Sequence, residues 1–172
     1  TLILEDYEFA KERGAKIYAE VVGFGTNTDG KHVTQPTKET MKVAMELALK
    51  DAGLSPQDID YINGHGTATQ LGDISESHAT HELFGPNTPF STYKGHMGHT
   101  LGACGSLEAW MMLKSMEDNR FSPTLHLENI DEKCADLDFI MHEDHVIDAE
   151  YVMSNNFAFG GMNSSLIFRR VS

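Results

Sequence analysis

Tyr93-Lys94-Gly95-His96-Met97-Gly98-His99-Thr100-Leu101-Gly102-Ala103-Cys104-Gly105 runs directly into Ser106-Leu107-Glu108-Ala109-Trp110, and this stretch decides the fold. It begins where a strand-like segment, Pro89 to Tyr93, ends, and it leads into a helical pattern from Leu101 to Asp118. Gly and Ala put no bulk in the way, so another backbone can approach closely. The helix starts beside His99 and turns its unpaired N–H groups and positive dipole end toward the loop. Two histidines and a lysine at a crowded strand-to-helix junction mark a candidate site. A glycine-packed core crossing accounts for the glycines equally well.

Outward from this junction the chain alternates short strands and helices. Thr1 to Leu4 and Ile17 to Val22 carry the β-branched and aliphatic residues of strands, with a helical turn from Tyr7 to Arg13 between them. Gly23 to Gly30 has loop composition. A helix is expected from Thr37, capped by Thr37 with Thr40. Its apolar face is Met41, Ala44, Met45, Ala48, Leu49 and Ala52, and Gly53 stops it. Ile59 to Ile62 reads as a strand and Asp73 to Phe84 as a helix. Leu137 to Met141, Glu150 to Ser154 and Ser164 to Arg169 are strand-like, and Asn155 to Asn163 is rich in turn residues. This alternation predicts one α/β domain over residues 1–172.

Composition narrows the function. Hydrophobic residues make up 40% and charged residues 23% of 172, the balance of a soluble globular domain. Asp and Glu outnumber Lys and Arg by 26 to 13, and no basic run interrupts the acidic character, which argues against a nucleic-acid partner. Cys104 and Cys134 have neither metal-site spacing nor a disulfide framework, so a reducing compartment is the simpler assumption. No stretch approaches the ~20 apolar residues of a membrane span, and a cytoplasmic protein is the default. The chain opens on Thr1-Leu2-Ile3-Leu4-Glu5, which reads as a piece of something longer.

Three loops follow three strands: Gly64 to Thr69, Lys94 to His99, and Asn155 to Asn163. Strand ends of an open α/β sheet converge on one crevice. Together the loops would bring two imidazoles, an ammonium, threonine hydroxyls and many backbone N–H groups, a set suited to stabilising an oxyanion or enolate. They offer no obvious nucleophile.

His65-Gly66-Thr67-Ala68-Thr69 with Gly72-Asp73 and Glu76, Lys94 with Gly98-His99, and Asn155-Asn156-Phe157-Ala158-Phe159-Gly160-Gly161-Met162-Asn163 together resemble the C-terminal half of a β-ketoacyl-acyl-carrier-protein synthase. The resemblance runs nearly end to end. It implies one half of a thiolase-like fold, a five-stranded mixed sheet with helices on both faces, and a homodimer. It implies decarboxylative Claisen condensation of an acyl thioester with a malonyl group on acyl carrier protein. No cofactor is implied beyond the phosphopantetheine that carries the substrates.

Carried over position by position, His65 and His99 resemble the pair that stabilises the enolate. Lys94 resembles the supporting charge, with Glu76 its expected ion-pair partner. Thr67 and Thr69 resemble hydroxyls that bind the phosphopantetheine amides, Phe159 the gating aromatic, and Phe157 its neighbour. Glu108, Asn63 and Asn155 resemble a buried cluster that binds a monovalent cation in some members. The nucleophilic cysteine of the family belongs to its N-terminal half, and Cys104 reads as buried and structural.

Ala158 and Met162 stand where the family pattern has Gly and Thr, and His96 is unusual between Lys94 and His99. His78, His81, His126, His142 and His145 read as structural, and the His78/His81 and His96/His99 spacings lack the further ligands of a zinc site. A thiolase would carry a cysteine within Asn155 to Asn163, where there is none. A non-catalytic partner of the chain-length-factor kind would be expected to lose the histidines or the lysine, and all three are present.

Overall fold

The structure, a computed structural model, describes residues 1–32 and 35–171. Its strands are β1 (Ala19–Thr28), β2 (Tyr61–Asn63), β3 (Pro89–Ser91), β4 (Arg120–Phe121), β5 (Asp138–Phe139), β6 (His145–Val146), β7 (Tyr151–Ala158) and β8 (Met162–Arg170). Six of them form one mixed sheet in the order β1-β8-β7-β2-β3-β5, and β4 pairs with β6 beside it. β7, β2, β3 and β5 run parallel, whereas β8 is antiparallel to both β7 and β1. The helices are α1 (Tyr7–Glu12), α2 (Lys38–Ala52), α3 (Gln70–Phe84), α4 (Lys94–Met97) and α5 (Cys104–Asp118).

Successive strand residues face opposite sides, so the central strands are apolar on both. Ile62, Met153 and Ile167 pack with Met41, Met45 and Leu49 of α2 and Ala79 of α3. Their chain neighbours Tyr61, Val152 and Phe168 pack with Ala109, Met112 and Met116 of α5. Burying one such side chain is worth about 1.5–3 kcal/mol, and each cluster is a continuous layer between helix and sheet. This is the expected thiolase-like half, helices on both faces. The sheet has six strands instead of five, the addition being the two-residue β5 at its edge.

Several local expectations change. Thr1 to Leu4 forms no strand: Ile3 and Leu4 are exposed, and among the described residues no strand lies alongside to accept their backbone groups. The loop composition of Gly23 to Gly30 misleads, because β1 continues to Thr28. A Cβ on Gly25 would lie 2.0 Å from the Ala44 carbonyl oxygen, so glycine serves the close approach of α2 to the strand, not a turn. Thr37 precedes α2 without a side-chain cap bond, since its hydroxyl lies 2.6 Å from that of Thr40. Leu137 to Met141 supplies only Asp138–Phe139 as strand. Asn155 to Asn163 is mostly β7 and β8, with a single 3₁₀ turn at Phe159–Gly161.

β7, β2 and β3 lie side by side and point the same way, so their C-terminal ends open on one crevice. The three expected segments meet there, although Lys94–Met97 is the short helix α4 and Asn155 to Asn163 is mostly the ends of β7 and β8 around a 3₁₀ turn.

Candidate functional site

His65 leaves β2 in a loop pinned from below. Glu76, on the second turn of α3, is buried and accepts the backbone N–H of His65 at 2.7 Å and of Gly66 at 2.8 Å, one on each carboxylate oxygen. Burial pushes the Glu76 carboxyl up to about 7, against the two N–H groups and the Lys94 charge, which favour its ionised form. Asp73, one turn earlier, is likewise raised by burial and opposed by the backbone N–H groups of Ala68, Thr67 and Thr69. Both carboxyls therefore organise the loop that carries His65.

Lys94 begins α4 at the end of β3, and its ammonium turns inward. Lys94 and Glu108 are 7% and 0% exposed and form a buried ion pair. This corrects the expected pairing of Lys94 with Glu76: the carboxylate of α5 takes the ammonium, and that of α3 is spent on the backbone. The Lys94 Nζ also lies 3.2 Å from His65 Nδ1. An ammonium can only donate, so Nδ1 accepts and the ring proton of His65 sits on Nε2. Burial first, then the charges of Lys94 and His99, hold the His65 imidazolium form down to a pKa of about 3, so the ring is neutral at physiological pH. Glu108 also accepts from Asn156 Nδ2 at 3.2 Å and from Cys104 Sγ at 3.5 Å. A buried charge needs such partners, since each unmade hydrogen bond costs about 1–3 kcal/mol.

His99 meets His65 edge to face, with ring centroids 5.5 Å apart and planes at 90°. The backbone N–H of Leu101 donates to His99 Nδ1 at 3.2 Å, which places its proton on Nε2 as well. Phe157 lies edge-on to His65 at 6.3 Å.

Both rings line a cavity of about 740 Å³ that also takes in Thr67, Thr69, Phe157 and Phe159. The Thr67 and Thr69 hydroxyls are 3.0 Å apart at its wall. Phe157 is buried while Phe159 is 68% exposed at the rim. All eight residues singled out in the sequence thus border the crevice or hold its walls. Cys104 is buried against Glu108 and reads as structural. Burial raises the Cys134 thiol, which disfavours a thiolate there. His78, His81 and His96 hydrogen-bond the carbonyls of Lys133, Asp136 and Pro123. Among the described residues no cluster of three or more His, Cys, Asp or Glu could hold a metal ion, and no helix is long and apolar enough to cross a membrane. Sequence reasoning missed Asn156 and assigned Glu108 elsewhere. An acid on an apolar helix face, two turns from a buried lysine's loop, was the available signal.

A mixed sheet with helices on both faces and an imidazole pair at the ends of parallel strands define half of a thiolase-like fold. The family described as β-ketoacyl synthase, C-terminal domain, matches residues 18–128. The chain belongs to the β-ketoacyl synthase family. It is 42% identical, over 99% of its length, to 3-oxoacyl-[acyl-carrier-protein] synthase 2 of Coxiella burnetii, and it spans 42% of that protein. It is 59% identical to a β-ketoacyl synthase from Burkholderia phymatum STM815, with a TM-score of 0.96 over 98% of this chain and 41% of that one. A type II PKS acyl-carrier protein in complex with its ketosynthase bound to the hexaketide is similar at 32% identity, with a TM-score of 0.92 over 98% and 42% of the two chains. The chain thus spans about two fifths of the length of the curated relatives it matches.

Proposed function

We propose that this chain supplies the enolate-stabilising half of a β-ketoacyl-acyl-carrier-protein synthase, completed by an N-terminal half that carries the nucleophilic cysteine. The observation that carries the reading is the imidazole pair. Two neutral-type rings stand 5.5 Å apart with Nδ1 committed as acceptor on each, which leaves both Nε2–H groups as donors. A malonyl thioester held there loses CO₂. The electron pair of the broken C–C bond passes into the thioester as an enolate, whose oxygen takes the two N–H groups. The α-carbon then attacks the acyl thioester on the cysteine, a C–C bond forms, and the thiolate leaves. Lys94 acts on this step through His65, by fixing its tautomer.

Thr67 and Thr69 would take the amides of the phosphopantetheine arm, and Phe159 at the rim would gate the acyl group. The neighbour that pairs an acyl-carrier protein with its ketosynthase supports a carrier protein as the donor's vehicle. The family resemblance supports a homodimer working in the cytoplasm. The cation cluster fits less well. Both oxygens of Glu108 are taken by Lys94, Cys104 and Asn156, and Asn155 Oδ1 accepts from Ser165 Oγ at 2.7 Å, leaving only Asn63 Oδ1 of the three side chains without a partner. No step is assigned to a cation.

The test joins this chain to a condensing-enzyme N-terminal half and follows β-ketoacyl product and malonyl decarboxylation by mass spectrometry. His65→Ala and His99→Ala should each lower decarboxylation by about a hundredfold or more while acyl transfer to the cysteine persists. Near-normal condensation in both variants would overturn the reading, as would product from this chain alone.

A further inference from the structure

His65, Lys94, Glu108 and Asn156 form a connected run of side chains behind the cavity. Lys94 reaches both His65 and Glu108, and the other oxygen of Glu108 accepts from Asn156 Nδ2 at 3.2 Å. Asn156 also lines the cavity itself. His65 lines the same cavity, and the neighbouring Asn156 amide favours the protonated form of its ring. The space for this amide comes from Gly105 on α5: a Cβ there would lie 3.3 Å from Asn156 Nδ2. The Asn156 carbonyl, at 3.4 Å from Ser164 Oγ in the β7–β8 ladder, anchors the residue on the sheet and not on a loop.

We infer that Asn156 is a positioning residue for the enolate site, coupling the buried Lys94–Glu108 pair to His65 and holding the imidazole at the cavity wall. This rests on the proposed condensing function. The charged and titratable groups around the ring are Lys94 from α4, Glu108 from α5, Glu76 and Asp73 from α3, and His99 from the loop before α5. Glu108 is already fully bonded, so a second carboxylate at 156 would lose the donor to Glu108 and lie against the ring.

The test uses the assembled enzyme and malonyl decarboxylation between pH 5 and 8. Asn156→Ala should lower kcat about tenfold with KM for the malonyl thioester within about twofold, because the ring loses orientation while the cavity mouth stays intact. Asn156→Asp should add an acid limb to the rate profile, as the new carboxylate raises the His65 pKa toward the ordinary imidazole range. Gly105→Ala should reproduce a smaller loss in the native background and add nothing to Asn156→Ala. A loss carried by KM, a pH profile unchanged in Asn156→Asp, or additive effects of the 105 and 156 changes would overturn the inference. His65→Ala in the same assay separates the two readings: if that variant stays active the condensing assignment fails, and if only the 156 variants behave natively the positioning role fails.

Discussion

His65 and His99 stand in one pair, yet the chain holds them by different means. His65 is partly buried, its loop is fastened through two N–H groups to the buried Glu76, and its Nδ1 faces a buried ammonium. His99 is exposed, lies between the left-handed residues Gly98 at φ 75° and Leu101 at φ 54°, and is oriented by one backbone N–H two residues away. One donor is built by tertiary structure and the other by local backbone geometry. The His65 side should therefore fail through buried electrostatics, and the His99 side only through its loop.

The largest effect is expected at Lys94. Lys94→Ala leaves Glu108 a buried carboxylate without its cation, which costs about 3–5 kcal/mol in urea unfolding. The paired replacement Lys94→Met with Glu108→Leu removes both charges and should recover most of that stability while decarboxylation stays low. If the single change costs under about 1 kcal/mol, the pair behaves as a surface bridge and the contrast with His99 collapses.

Glu76 gives a pH dependence with a defined sign. Its carboxyl is raised from 4.5 to about 7, so between those values the folded state holds a proton that the unfolded chain has released. Stability from this group is present below about pH 4.5 and declines as pH rises through 7, by roughly 3 kcal/mol in total. Ionisation lets both oxygens accept the His65 and Gly66 N–H groups, so the loop is best ordered where the protein has lost this stability. Glu76→Gln should flatten the decline between pH 4.5 and 7 in urea midpoints and keep one of the two N–H bonds. A slope unchanged in Glu76→Gln would assign the titration to another group.

Much of this was legible from residue order. The α2 face was readable because its apolar spacing and stopping Gly53, at φ 68°, are local signals that the fold leaves untouched. The three motifs named the crevice because each lies at the C-terminal end of a parallel strand, the first two just after β2 and β3 and the third within the end of β7. Partner choice was not legible. Glu76 and Glu108 both face the site from helices, and which of them meets Lys94 depends on how far α5 closes over the sheet, a tertiary distance without periodicity. The glycines of β1 looked like a turn because close helix-to-strand approach and turn formation select the same residue. Thr1 to Leu4 shows the reverse failure, strand composition without a neighbouring strand among the described residues.

The smallest prediction probes the His99 side. Leu101 holds a left-handed backbone at φ 54° that costs an L-residue with a Cβ about 1–2 kcal/mol. Its side chain is 69% exposed, so little burial offsets that strain. Leu101→Gly removes the Cβ clash but gives the unfolded chain more freedom, worth about 0.5–1 kcal/mol, so the net gain should be at most about 1 kcal/mol. Leu101→Ala keeps the Cβ and should leave stability within about 0.5 kcal/mol of the native chain. Neither change touches the Leu101 N–H that donates to His99 Nδ1, and decarboxylation should hold within about threefold in both. Thermal unfolding of both variants beside the native chain decides the matter. If both variants are less stable than the native chain by more than about 1 kcal/mol, the Leu101 side chain anchors the loop by packing, and His99 is then held by tertiary contact as His65 is.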